Sequence, residues 1–85
     1  MDALKRAQNE RKFGTWGELP DGGRRYSFEV KGRSGWRARY VKDVDANETT
    51  VSFYQEVYDG EGRLREIHHK YPMDLGHQPV RGDEP

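Results

Sequence analysis

The chain has no cysteine. That excludes disulfide staples, thiolate nucleophiles and every zinc site built on cysteine. It has no long apolar run either. Nothing approaches the roughly 20 residues that a membrane-spanning helix requires, and the opening Met1-Asp2-Ala3-Leu4-Lys5-Arg6 lacks the apolar core of a secretory signal. Small secreted domains usually depend on disulfides, so the expectation is a cytoplasmic protein with no membrane association. A nucleophile elbow and a phosphate-binding loop are also missing. Gly60-Glu61-Gly62 is too short and too acidic to cradle a phosphate and reads as a hairpin turn. The spaced carboxylates of a calcium-binding EF-hand are absent. No cofactor is expected, and the leading expectation is a protein without catalytic activity.

What the chain does have is alternation. From Tyr26 to Ile67 apolar and polar residues exchange places, interrupted at short intervals by Gly-containing turns. A period of two is the signature of a half-buried β-strand, and short turns between such runs mean hairpins. Eighty-five residues make a single domain, 1–85. Only 32% of them are hydrophobic and 35% are charged, but the formal net charge is zero and 12% are aromatic, which favours a folded core over disorder.

Residues 2–11 read as a short helix with Asp2 as its N-cap and a thin apolar face of Ala3, Leu4 and Ala7, so that residues 1–12 form a helix docked through Leu4 or a frayed arm. Residues 13–72 read as sheet. A weak first strand spans Phe13 to Leu19, and Leu-Pro-Asp-Gly-Gly at 19–23 is a turn. Arg24 to Val30, Trp36 to Val44, Thr49 to Tyr58 and Leu64 to Tyr71 follow as strands. Tyr26, Phe28 and Val30 share one face; Trp36, Ala38 and Tyr40 share one face of the next strand; Val51, Phe53 and Val57 mark the core face of the one after it. The opposite face carries Trp16, Val41, Tyr54 and Tyr71, too apolar to stand in water, so a strongly curled or barrel-like sheet, or a dimer, is expected. The fold expected is therefore mainly β (α+β): a short N-terminal helix, a four- to five-stranded antiparallel meander, and a loose tail over 73–85.

The zero net charge hides an asymmetry. Residues 1–42 hold eleven Lys and Arg against five acids, a net of +6, and residues 43–85 hold four against ten, a net of −6. Strands of a meander pair opposite signs across the sheet, which accounts for most of this. The candidate working surface is the face bearing Arg25, Arg37, Arg39, Tyr54 and Tyr58. It suits an unknown protein partner or self-association. Trp36-Arg37-Ala38-Arg39-Tyr40 interleaves rings with guanidiniums as single-strand binders do, so nucleic acid is a second candidate partner, although a pI near 6.8 lacks the usual basic signature. A small ribonuclease using His69, Lys70, Tyr71, Arg37 and Arg39 as an acid–base set is a third reading. Adjacent His68 and His69 point to opposite faces of a strand, so the metal candidates are His69 with Asp74 and His77, short of the usual three or four strong ligands. Asn47-Glu48-Thr49 reads as a turn, and Arg81-Gly82-Asp83 as a chance tripeptide.

Gly35-Trp36-Arg37-Ala38-Arg39-Tyr40-Val41-Lys42 and Ile67-His68-His69-Lys70-Tyr71-Pro72-Met73-Asp74-Leu75-Gly76-His77 together resemble a pattern in small bacterial proteins of unknown function, over residues 13–77. The resemblance implies a bacterial origin and carries over no catalytic residue.

Overall fold

The alternating segments form antiparallel strands. The structure, a computed structural model, describes residues 1–80. In chain order it contains α1 (Ala3–Phe13), β1 (Thr15–Glu18), β2 (Arg24–Lys31), a short 3-10 turn (Arg33–Gly35), β3 (Arg37–Val44), β4 (Thr50–Tyr58), β5 (Leu64–Tyr71) and β6 (Gly76–Pro79). All six strands join one sheet in the order β1-β2-β3-β4-β5-β6. Among the described residues the sheet does not close, because β1 and β6 remain its two edges. A barrel-like form is thus not observed: four-residue edge strands are too short to meet, and α1 on one face and long polar side chains on the other supply the cover that closure would have given. The strand count exceeds the expected four to five because β6 lies in the segment expected to be loose. It is held by pairing with β5, Glu66 opposite Pro79 and His68 opposite His77. Asp74 organises the turn before it, accepting the Gly76 amide at 2.9 Å. The rest of the expected tail, with Arg81-Gly82-Asp83, lies outside the described residues.

The register fixes the faces. Trp16 stands opposite Tyr26, Tyr26 opposite Lys42, and Lys42 opposite Phe53. Trp16 therefore belongs to the helix-covered face, not to the outer one as expected from the sequence. The same holds for Tyr71, which pairs with Phe53 across a bulge. Val51 was expected in the core and is 55% exposed: the irregularity that sets Val44 opposite Thr50 and Asp43 opposite Ser52 leaves Val51 out of the ladder. Trp36 does not begin β3; it follows the 3-10 turn and stays half-exposed.

Helix α1 is capped at both ends. Asp2 accepts the Lys5 amide at 3.0 Å, and Gly14, at φ 78°, ends the helix in the left-handed region with its N–H on the Glu10 carbonyl. Docking differs from expectation. Leu4 is 70% exposed, whereas Phe13, in the last turn, is buried. Phe13 packs with Tyr26 and Val44, and Phe28, Tyr40 and Phe53 surround this cluster. The Phe13 ring lies 5.4 Å from Phe28 and meets Phe53 edge-on at 6.4 Å, arrangements favoured between aromatic rings.

The remainder of the helix is attached by polar contacts that converge on Glu48. The hairpins at 19–23, 45–49 and 59–63 share one backbone pattern: the first residue donates to and accepts from the far side of the loop, and the fourth is left-handed. In two of them that fourth residue is glycine (Gly22, φ 86°; Gly62, φ 82°), but in the third it is Glu48 at φ 64°. A left-handed non-glycine residue costs about 1–2 kcal/mol. Glu48 is nonetheless buried, accepting from Tyr26 Oη at 2.6 Å, Arg6 Nε at 3.1 Å and Asn9 Nδ2 at 3.3 Å. Asn9 in turn accepts from Lys42 Nζ at 3.0 Å. A second attachment runs from Glu10 to Arg24 at 2.7 Å. Burial alone would push the Glu48 carboxyl up, but the hydrogen bonds from Tyr26, Asn9 and Arg6 outweigh it and hold it below its ordinary value.

Replacing Glu48 should therefore cost far more than trimming the apolar helix face. In urea denaturation, Glu48→Ala is expected to lose about 2–4 kcal/mol, and Leu4→Ala to stay within about 0.5 kcal/mol. Glu48→Gly should lose about 1 kcal/mol less than Glu48→Ala, because glycine accepts the left-handed backbone freely. The folded-state pKa of Glu48 lies below its unfolded value of about 4.3, so its contribution is complete above roughly pH 5 and is lost as pH falls through the folded pKa. Glu48→Gln should flatten that part of the acid dependence, measured as stability between pH 6 and pH 3.

Candidate interaction face

On the face away from α1, alternation and register bring Arg25, Arg37, Arg39, Tyr54 and Tyr58 together. Arg25 stands opposite Asp43, Arg39 opposite Glu56, Arg37 opposite Tyr58, and Val41 opposite Tyr54. Each arginine meets a carboxylate. Arg25 and Asp43 form a two-pronged pair with bonds of 2.8 and 2.9 Å. Arg39 donates to Glu56 at 3.1 Å, and Tyr58 donates its hydroxyl to the same Glu56 oxygen at 3.1 Å. Arg37 lies 4.8 Å over the Tyr58 ring, a cation–π contact, with Glu29 at 3.7 Å. The Asp43 bond raises the Arg25 pKa against the opposing effect of burial, and burial raises both Tyr54 and Tyr58, which stay neutral donors near pH 7.

This layer is thick enough to bury Val41 completely. Val41 sits between Ser27 and Tyr54 on the neighbouring strands, and the stems of long side chains such as arginine cover apolar surface while their heads stay wet. Beside it lies a hollow of about 350 Å³ lined by Thr15, Gly17, Leu19, Arg25, Ser27 and Arg39. Gly17 contributes by what it lacks, since nothing lies within 4 Å of a Cβ built there.

The other candidate residues are divided. His69 faces the outer side next to Tyr54, their rings 5.7 Å apart. Lys70 sits on the helix side, 5.2 Å from the Tyr40 ring. The acid–base set of the ribonuclease reading is thus split between the two faces. Of the metal candidates, Asp74 and His77 lie near His68, not near His69. His68 Nε2 is 2.6 Å from Asp74, His77 Nδ1 is 3.0 Å from Glu66, and the two imidazole rings are 4.5 Å apart. Among the described residues no three potential ligands converge on a metal position. The Gly76 amide and His68 hold the Asp74 carboxyl below its usual range.

No family model matches the chain, and no curated protein or solved structure is significantly similar to it. No residue role therefore comes from a relative, and the face itself carries the functional reading. Sequence reasoning missed Glu48, Asn9 and Lys42. One signal was available: Asp45-Ala46-Asn47-Glu48 matches Asp59-Gly60-Glu61-Gly62 in length and first residue, with glutamate where the loop shape favours glycine. Among the described residues no helix is long and apolar enough to cross a membrane.

Because Val41 is the buried centre of this layer, Val41→Ala should lower unfolding free energy by about 1.5–3 kcal/mol. A loss under about 0.5 kcal/mol in the same denaturation experiment would mean that the arginine–tyrosine layer is open to water.

Proposed function

We propose that the protein is a non-catalytic interaction module whose working surface is the outer sheet face, and that its partner is a protein. One observation carries this: five arginine and tyrosine side chains share a face that α1 leaves bare, and each arginine already has a carboxylate beside it. Arginine and tyrosine are enriched at the energetic centres of protein interfaces. Neighbouring carboxylates hold the guanidiniums in place, so less side-chain freedom is lost on docking. The same pairing weakens the case for nucleic acid. A polyanion binds through uncompensated cations, and Arg25, Arg37 and Arg39 are offset by Asp43, Glu29 and Glu56. A second copy of the chain is one form that the protein partner can take.

The test pairs affinity capture from the native host with sedimentation. The wild-type chain should retain a protein in stoichiometric amount, insensitive to nuclease, or sediment as a dimer. Arg37→Ala combined with Tyr58→Ala should reduce either result at least about tenfold, a loss of roughly 1.4 kcal/mol or more, while Leu4→Ala leaves it unchanged. Retention of nucleic acid that fades steeply with salt would support the alternative reading instead, and equal capture by both variants would overturn the choice of face.

A further inference from the structure

Helix α1 packs on β1 and β2 and leaves a cleft between its last turn and the start of β4. The cleft holds about 430 Å³ and is lined by Lys12, Phe13, Lys42, Thr50, Phe53 and Tyr71. Its apolar wall is aromatic: Phe13 and Phe53 meet edge-on, and Tyr71, 47% exposed, stands beside Phe53 in the ladder. Its rim is cationic. Lys12 Nζ and Lys42 Nζ, both lining the cleft, lie 5.8 and 6.0 Å from the Phe13 ring centre. A smaller polar hollow of about 210 Å³ continues the cleft along the helix, sharing Lys42 and Thr50 and adding Lys5, Gln8, Asn9 and Glu48.

The charges here differ from those on the outer face. Among the described residues every carboxylate ion pair goes to an arginine or a histidine, and none to a lysine. Glu48 lines the adjoining hollow, but Tyr26, Asn9 and Arg6 occupy its oxygens. Lys42 is pushed below its ordinary value, first by burial and then by Lys12, with Lys5 adding to the effect and Glu48 opposing it. An anion placed between Lys12 and Lys42 would relieve this repulsion.

We propose that the cleft binds a small aromatic carboxylate, its ring against Phe13, Phe53 and Tyr71 and its carboxylate between Lys12 and Lys42. The volume falls within the roughly 300–1,000 Å³ range of small-ligand sites. The aromatic wall favours a flat apolar body, and ammonium groups that no carboxylate pairs among the described residues, Lys42 donating only to the neutral Asn9 amide, select a negative charge over a neutral or positive one.

The test is an amide NMR titration of the full chain with 2-naphthoate, neutral 2-naphthylmethanol and 2-naphthylmethylammonium. Naphthoate should give saturable shifts at Lys12, Phe13, Lys42, Thr50, Phe53 and Tyr71, and should bind about tenfold tighter than the alcohol, with the ammonium weakest. Lys12 is exposed, so Lys12→Gln should leave the thermal midpoint within a few degrees. It should weaken naphthoate about three- to tenfold and leave the alcohol unchanged. Tyr71→Ala should weaken both. Equal affinity for the acid and the alcohol, shifts scattered elsewhere, or no saturation by about 10 mM would overturn the proposal.

Discussion

The position of the helix depends on one buried carboxylate. An ionised side chain taken out of water costs several kcal/mol unless partners surround it, and Glu48 is surrounded by Tyr26, Arg6 and Asn9. These partners come from the middle of β2 and from two turns of α1, while Glu48 itself sits in the hairpin between β3 and β4. One side chain thus ties three separate stretches of chain together. An eleven-residue helix whose apolar contribution is little more than Phe13 has almost no greasy surface with which to choose an orientation. Phe13 supplies attachment, and the directional bonds to Glu48 supply the angle. The left-handed backbone at Glu48 is a local cost accepted for that purpose, since the two sister hairpins solve the same turn with glycine.

The strands were legible because a period of two survives composition as polar as this. Tyr26, Phe28, Arg25 and Ser27 fall on their expected sides, and so do Phe53, Tyr54 and Tyr58. What was not legible is phase across connections. Whether Trp16 shares a side with Tyr26 depends on the register that the loop at 19–23 imposes, and the residue count alone does not reveal it. Val51 was lost to a bulge, which breaks parity without any mark in the residue pattern. Phe13 has the ring of a strand residue and looks by pattern like the start of β1, whereas Gly14 is the residue that ends α1. Arg25, Arg37, Arg39, Tyr54 and Tyr58 share one side of the sheet, as their alternation implies. Their carboxylate partners were not legible, because Asp43, Glu29 and Glu56 are recognisable as partners only once the ladders are in register.

Topology also accounts for the charge asymmetry along the chain. Arginines of the first half meet acids of the second half in three places, Arg6 with Glu48, Arg25 with Asp43 and Arg39 with Glu56. The lysines of the first half find no such partners among the described residues. The planar guanidinium forms directional bonds to carboxylates, whereas the ammonium is a strongly hydrated point charge. Sorting by residue type thus becomes sorting in space. One face of the sheet is charged but locally neutral, and the cleft between α1 and β4 keeps the surplus.

This sorting bears on how the molecule recognises anything at all. An open sheet has a second means of binding, the addition of a strand to an edge, but the edges here offer little for it. β6 ends in Pro79, which has no N–H, and the next amide, that of Val80, is already bonded to the Arg65 carbonyl. β1 is four residues long and contains Gly17, so an added strand would gain few bonds and no regular surface. Recognition as proposed above would fall to side chains on the two faces, where the arginine layer presents shape with its charge matched and the lysine cleft presents charge beside an aromatic wall. Two surfaces with opposite treatment of charge, separated by the thickness of one sheet, suit two chemically different ligands better than one.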